Sequence, residues 1–306
     1  MKILITGGAG FIASNVADRY IELGHEVVIV DNLVTGQREN IPEKATFYEM
    51  DICDPELAAV FEKEKPEVVN HHAAQLDVRK SVADPIYDAN INVLGSLNIL
   101  QNCAKFGTRK FIFASTGGAI YGEQDYFPAD EHHPNQPLSP YGITKLATEK
   151  YLYFFNDSYG LTYTILRYAN VYGPRQNPHG EAGVVAIFAR RMLKGEQPMI
   201  NGSGEQTRDY VFVGDVVKAN ELALTGGDNT IFNIGTGIET DVNELFRQVA
   251  SMVPHQIEEK HGPGAAGEQM RSVLDATRIR ETLGWKPEVN LAEGLKRTVA
   301  FFKERG

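Results

Sequence analysis

A short apolar run, Lys2-Ile3-Leu4-Ile5-Thr6, opens directly into Gly7-Gly8-Ala9-Gly10-Phe11-Ile12-Ala13 and an amphipathic segment that ends at Leu23. That order reads as strand, tight turn and helix, and it narrows the architecture to an α/β sheet. Gly7 permits the turn, Gly10 lets the backbone approach a pyrophosphate, and small Ala13 lets the helix pack close to the strand. Phe11 and Ile12 begin the helix, where backbone amides meet an anion. A glycine-rich loop alone is a weak sign, because many are simple turns, and the absence of Gly-Lys-Ser/Thr excludes a nucleoside-triphosphatase loop. The next run, Glu26-Val27-Val28-Ile29-Val30, supplies the second sign by ending at Asp31-Asn32. A carboxylate about 20 residues past the loop accepts hydrogen bonds from an adenosine ribose and repels a 2′-phosphate, so NAD is expected rather than NADP.

The alternation continues with a strand near 46–50, a helix over 55–65, a strand over 67–70, a long helix over 85–105 and a strand over 110–114. Strands and helices in strict alternation predict a doubly wound parallel Rossmann-type sheet. The C-terminal ends of its strands line the ligand crevice. Those ends carry Asp51-Ile52, His72-Ala73-Ala74-Gln75 and Ser115-Thr116-Gly117-Gly118-Ala119. Asp51 is placed for an adenine amine, Ala73 and Ala74 let a cofactor pass closely, and Asn90, within the long helix, is expected to reach the cofactor side. His71 and His72 have no third ligand at metal spacing, so they are read as strand-end residues and no metal is expected.

Past the sheet, Tyr141-Gly142-Ile143-Thr144-Lys145 puts a phenol and an ammonium four residues apart, on one face of a helix. A nearby cation favours phenolate, which is how a phenol becomes a general base near neutral pH. By itself a Tyr-x-x-x-Lys pair is more often an ordinary surface pair.

Charge and composition exclude several classes. Thirty basic against forty acidic residues give a net charge of −10, which argues against nucleic acid or an anionic membrane as a partner. The 306 residues are 42% hydrophobic, without an apolar run long enough to span a bilayer, and Met1 leads straight into a strand pattern rather than a signal peptide. Cys53 and Cys103 lack a partner motif, so a cytoplasmic protein is expected.

Taken together, the Gly7/Gly10/Ala13 loop, Asp31, Asp51-Ile52, Ala73-Ala74-Gln75, Ser115-Thr116, Tyr141/Lys145 and the run from Leu166 to Arg175 resemble the extended short-chain dehydrogenases/reductases, in their nucleotide-sugar epimerase and dehydratase branch. The resemblance spans nearly the whole chain. It implies an NAD-binding domain over 1–170, with returning segments at about 206–235, and a smaller C-terminal α/β substrate domain made mainly of 171–306. It implies Tyr141 as acid/base, Lys145 on the nicotinamide ribose, and a hydroxyl that positions the sugar. The usual place of that hydroxyl is Gly117, so the role passes to Thr116 with Ser115 in reserve. Tyr168 is implied beside the nicotinamide. Asn170, the amides at Val184 and Arg208 are implied on a substrate diphosphate, with salt bridging to Asp209 or Asp215 as the plain alternative for Arg208. The uridine-side segment corresponds to Glu268, Arg271 and Ser272. Where relatives carry Arg-Pro this chain has Ala265-Ala266, so Arg271 is a candidate substitute. Thr240 is expected to cap the helix that contains Asn243-Glu244.

Dehydratases of this branch carry an Asp-Glu pair where this chain has Gly118-Ala119. Without those carboxyls the resemblance implies epimerisation at C4 of a UDP-hexose, UDP-glucose or UDP-galactose, with N-acetylated sugars left open by small Ser272. A UDP-glucuronate epimerase or decarboxylase and a non-catalytic NAD-sensing protein remain alternatives. A homodimer through the 85–105 and 141–159 helices is also implied.

Overall fold

The structure, a computed structural model, describes residues 1–178, 183–264 and 269–305. Apart from the partly exposed edge strand Thr46–Glu49, the apolar runs become strands buried on both faces, which is why they read as continuous rather than alternating patterns. They are β1 (Lys2–Thr6), β2 (Glu26–Asp31), β3 (Thr46–Glu49), β4 (Val68–His71), β5 (Lys110–Thr116) and β6 (Thr162–Tyr168). Later in the chain come β7 (Asn170–Tyr172), β8 (Ile200–Asn201), β9 (Thr207–Phe212), β10 (Thr230–Ile234), β11 (Glu239–Asp241), β12 (His261–Gly262) and β13 (Arg271–Ser272).

Seven of these form one parallel sheet in the order β10-β6-β5-β4-β1-β2-β3. The order reverses between β1 and β4, and a crevice opens there beyond the strand ends. The connections are α1 (Phe11–Glu22) and α2 (Leu57–Glu64), then α3 (Val78–Ala83), α4 (Pro85–Ala89), a π-helical stretch Asn90–Gly95 and α5 (Ser96–Phe106). After β5 come α6 (Gly117–Ile120) and α7 (Pro140–Tyr159). The remaining helices are α8 (Val184–Leu193), α9 (Val213–Ala223), α10 (Val242–Ala250), α11 (Thr277–Leu283) and α12 (Leu291–Arg305). Side chains of α1 and α9 cover one face of the sheet, and those of α2, α5 and α7 cover the other. A smaller sheet, β11-β9-β13 with β7 also on β9, packs with α8, α10 and α12.

Three local expectations change. The single helix over 85–105 is interrupted, because the Asn92 carbonyl accepts from the hydroxyls of both Ser96 (2.6 Å) and Thr148 (3.2 Å), and the turn widens there. A short helix, α6, occupies Gly117–Ile120, residues expected simply to line the strand end. The cap of α10 is Asp241, whose carboxylate accepts from the Glu244 amide at 2.7 Å, rather than Thr240, which lies in β11.

One buried ion pair joins α7 to the sheet. Arg167 on β6 donates from Nε to Glu149 Oε1 (2.9 Å) and from Nη2 to Oε2 (2.5 Å), with both side chains 2% exposed. Ser115 Oγ donates to the same Oε1 at 2.6 Å, and Arg167 Nη1 donates to the Tyr121 hydroxyl at 3.0 Å. Tyr121 in turn donates to Asn233 Oδ1 on β10. Removing one partner leaves a buried charge uncompensated, so Arg167→Met should lower unfolding free energy by about 3–5 kcal/mol. Denaturant titration of both proteins checks this, and an unchanged midpoint would show that the pair does not hold α7.

Candidate active site

The crevice begins at the loop between β1 and α1. Gly7 has φ +69°, and a Cβ there would lie 2.7 Å from the Ala73 amide nitrogen, so only glycine lets the two strand ends approach. Gly10 is the N-cap of α1 and provides no side-chain cap, which leaves the amides of the first turn, including Phe11 and Ile12, for an external acceptor. Asp31 is 7% exposed and takes one amide on each oxygen, from Ala9 (3.0 Å) and Leu33 (2.8 Å). Burial holds its carboxyl above the usual range, while the Leu33 and Ala9 amides pull it back. Its free lone pairs suit two further donors, such as a ribose diol. Asn32 donates to Asp51 at 2.7 Å, and the adjacent Ile52 is buried. The bare glycine cradle, the uncapped helix and the buried carboxylate fit a dinucleotide.

Along β4 the histidines divide. His71 is buried between Thr6 (2.6 Å) and Ser96 (2.9 Å), whereas the His72 ring stacks on Tyr168 at 6.2 Å between centroids. The Tyr168 hydroxyl accepts from Asn220 at 2.9 Å. Ala73 and Ala74 stand half-buried beyond the strand end. Gln75 belongs to the scaffold. Its amide nitrogen donates to the Asp77 carbonyl and to Asp88 Oδ1, both at 2.9 Å, so the cofactor role expected of this side chain has no free donor. Asn90 is exposed, and the inward position belongs to Asn92, which bonds Gln75, Asp88 and Thr144.

Helix α7 carries the reactive pair. Ser139 caps it by accepting from the Gly142 amide at 3.2 Å, and Pro140 fills the first helical position. A Cβ on Gly142 would come within 2.7 Å of the Ala119 carbonyl, so glycine there lets the start of α7 press against α6. Lys145 Nζ sits 5.8 Å from the centre of the Tyr141 ring and 4.8 Å from that of Phe113, and it donates to the Ala114 carbonyl at 2.9 Å.

The electrostatics differ from the simple expectation. Burial, and then the charge of Asp88, holds the Tyr141 phenol well above its ordinary value. Burial lowers Lys145 to about 8, against the opposing pull of Asp88 and Glu149. Desolvation therefore outweighs proximity, and the pair alone does not deliver the phenolate that the spacing suggested.

Ser115 and Thr116 face opposite sides of β5, as successive strand residues must. Ser115 is committed to Glu149, which takes its hydroxyl out of the reserve role. Thr116 is half-buried and does not cap α6. An ideal Cβ on Gly118 would lie 3.9 Å from Thr116 Oγ1 and 3.8 Å from Asn170 Oδ1, so these groups share one volume.

The other predicted substrate residues lie on the smaller sheet side. Val184 opens α8 behind Gly183. Arg208 and buried Ser272 are register partners on β9 and β13. The carboxylates read as alternative partners for Arg208 are held by backbone amides, Asp209 by Thr236, Gly237 and Leu274, and Asp215 by Glu288 and Val289. Arg271 is half-exposed, paired with Glu239 at 3.0 Å and stacked 3.7 Å over Phe127, so a diphosphate role would need it to leave both. Glu268 and Ala265-Ala266 lie outside the described residues. Asp88, Glu149 and Arg167 were not singled out in the sequence, and only the helical spacing of Glu149 from Lys145 could have pointed to one of them.

A family model described as the NAD dependent epimerase/dehydratase family matches residues 3–235. A UDP-glucose 4-epimerase of Mycolicibacterium smegmatis is 44% identical over 311 residues, covering 100% of this chain and 99% of that protein. The crystal structure of a Thermotoga maritima UDP-glucose 4-epimerase with UDP-glucose superposes with a TM-score of 0.98 at 53% identity, covering 100% of this chain and 99% of the other. A Thermus thermophilus UDP-glucose 4-epimerase in complex with NAD gives 0.93 at 44% identity, with coverage of 100% and 99%.

The lowered Lys145 makes cofactor-free stability depend on pH. The unfolded lysine keeps its proton up to its ordinary 10.5, while the folded one releases it at about 8. Between those values the unfolded state binds more protons, so this residue's contribution to stability rises with pH. The raised Tyr141 acts in the opposite sense from about pH 10 upward. Lys145→Met should therefore be more stabilising at pH 7 than at pH 9.5, read from denaturant midpoints, and a difference that stays flat across that range would refute the burial of a charged Lys145.

Proposed function

The chain belongs to the NAD-dependent epimerase/dehydratase family, and on that premise we propose that it epimerises a UDP-hexose at C4, UDP-glucose and UDP-galactose first, through a transient 4-keto sugar. The observation that carries the reading is the shared volume at Gly118. There a hydroxyl, Thr116, and an amide, Asn170, meet beside the Tyr141 helix with no carboxyl on Gly118 or Ala119 to drive elimination.

In this reading, the Gly7 to Ile12 loop and Asp31 hold the dinucleotide, with Asn32 and Asp51 toward its adenosine end and Tyr168 toward the crevice. When bound, NAD supplies the acceptor and donor for the C4 hydrogen, together with positive charge that Tyr141 lacks in the chain alone. Tyr141 takes the proton from the sugar O4 and later returns it. Lys145, fixed by the Ala114 carbonyl, orients the cofactor ribose and lends charge to the phenol. Thr116 aligns the O4 hydroxyl. Asn170, Arg208 and the amides at Val184 anchor the diphosphate, for which the guanidinium offers a bidentate contact. Small Ser272 lies beside the sugar 2-substituent, with Arg271 on the uridine side.

We assign the dinucleotide site to residues 1–170 with returning segments at about 206–235, and the sugar-nucleotide site mainly to 171–306. The return of β10 to the large sheet supports that division. Exposed Ile86, Tyr87, Leu94, Tyr153, Phe154 and Tyr159 support a homodimer through the helices over 85–105 and 141–159. Two unpaired cysteines support a cytoplasmic setting, and no helix among the described residues is long and apolar enough to cross a membrane.

Tyr141→Phe should cut turnover of UDP-galactose by about 10²–10⁴-fold while NAD remains bound, and full residual activity would refute the assignment. Separate incubations with UDP-glucose, UDP-N-acetylglucosamine and UDP-glucuronate, with the product sugars analysed, set the substrate range. Carbon dioxide from the last would move the reading to decarboxylation. Sedimentation velocity should show a dimer that Phe154→Lys dissociates.

A further inference from the structure

Most glycines in the chain have a reason within the fold. Gly7 and Gly122 need positive φ, and a Cβ on Gly117 would lie 2.4 Å from Leu274 Cδ1, so that position is closed by packing. Gly118, its neighbour in α6, has neither reason. Its φ is ordinary, and the nearest atoms to an added Cβ are Asn170 Oδ1 at 3.8 Å and Thr116 Oγ1 at 3.9 Å, both at normal van der Waals distance. Alanine would fit, and alanine is the better helix former. The fold thus carries an unfavourable residue whose missing side chain leaves space toward Thr116, assigned above to the sugar O4, and Asn170, assigned above to the diphosphate.

We propose that Gly118 is a specificity-determining position kept bare so that the 4-keto sugar can turn over between Thr116 and Asn170. This rests on the epimerase reading above. Oxidation removes the C4 hydrogen from one face of the ring, and inversion requires its return to the other face. Between the two events the ring must rotate while its diphosphate stays anchored. A methyl group on Gly118 would project between the hydroxyl and the amide, inside the volume that rotation sweeps. It would leave the initial pose and the diphosphate contacts in place, so it would obstruct turnover of the ring more than binding.

The test compares the NAD-loaded wild-type protein with Gly118→Ala and Gly118→Val. Each is assayed for unfolding midpoint, UDP affinity by calorimetry, turnover of UDP-galactose and UDP-glucose, and absorbance of reduced nicotinamide during turnover. The expected result for Gly118→Ala is an unfolding midpoint at or above wild type and a UDP Kd within about threefold of it. Its kcat should fall by about tenfold or more, since small misplacements are costly to reaction geometry. Gly118→Val should fall further, and both variants should hold a larger share of reduced nicotinamide, because the keto sugar is formed but not turned. A wild-type kcat in Gly118→Ala overturns the proposal. So does a loss of kcat matched by an equal loss of UDP affinity or by a lower midpoint, which would mark occlusion or misfolding. A wild-type protein that epimerises no UDP-hexose overturns the function itself, and this proposal with it.

Discussion

Two charges taken out of water need each other's geometry, and Glu149 with Arg167 meets that need through two parallel N–H···O contacts and a third donor from Ser115. The pair sits where α7 crosses β5 and β6, so it sets both the position and the rotation of the helix. Helical geometry carries the consequence along the chain, because Lys145 lies four residues before Glu149, and Tyr141 four before that, on the same face. Strand geometry carries it the other way. Once Ser115 turns inward to Glu149, Thr116 must turn toward the crevice. One buried ion pair thus selects which side chains of two elements face the reaction space.

The same burial governs the protonation states. Lys145 is buried and Tyr141 half-buried, and desolvation pushes each toward its neutral form. A pair prepared in this way responds strongly to a positive charge that arrives with a ligand, since little water is present to screen it. The structure therefore favours a phenol that keeps its proton.

Much of the fold and part of the site could be read locally. The glycine loop, Asp31 at the end of β2, the alternation of strands and helices and the Tyr141/Lys145 spacing all depend on backbone conformation or periodicity, which a short window of sequence encodes. The points at which the structure departs from the sequence reading share a different origin. Gln75, expected at the cofactor, gives its side-chain donors to the Asp77 carbonyl and Asp88 instead. Asn90 is exposed while Asn92 points inward, and Asp241 rather than the expected Thr240 caps α10. In each case neighbouring residues have similar chemistry, and a partner remote in sequence, or a shift of one residue in register, decides between them.

The order of elements and the chemistry gathered at the strand ends were determined by the sequence alone, because hydrophobic period and turn residues act over a few positions. Only the tertiary structure decided that Ser115 serves the scaffold while Thr116 borders the crevice, that Arg271 is engaged by Glu239 and Phe127, and that Lys145 does not by itself lower Tyr141. Burial and long-range pairing set those outcomes, and both exist only once helices and sheet have packed together.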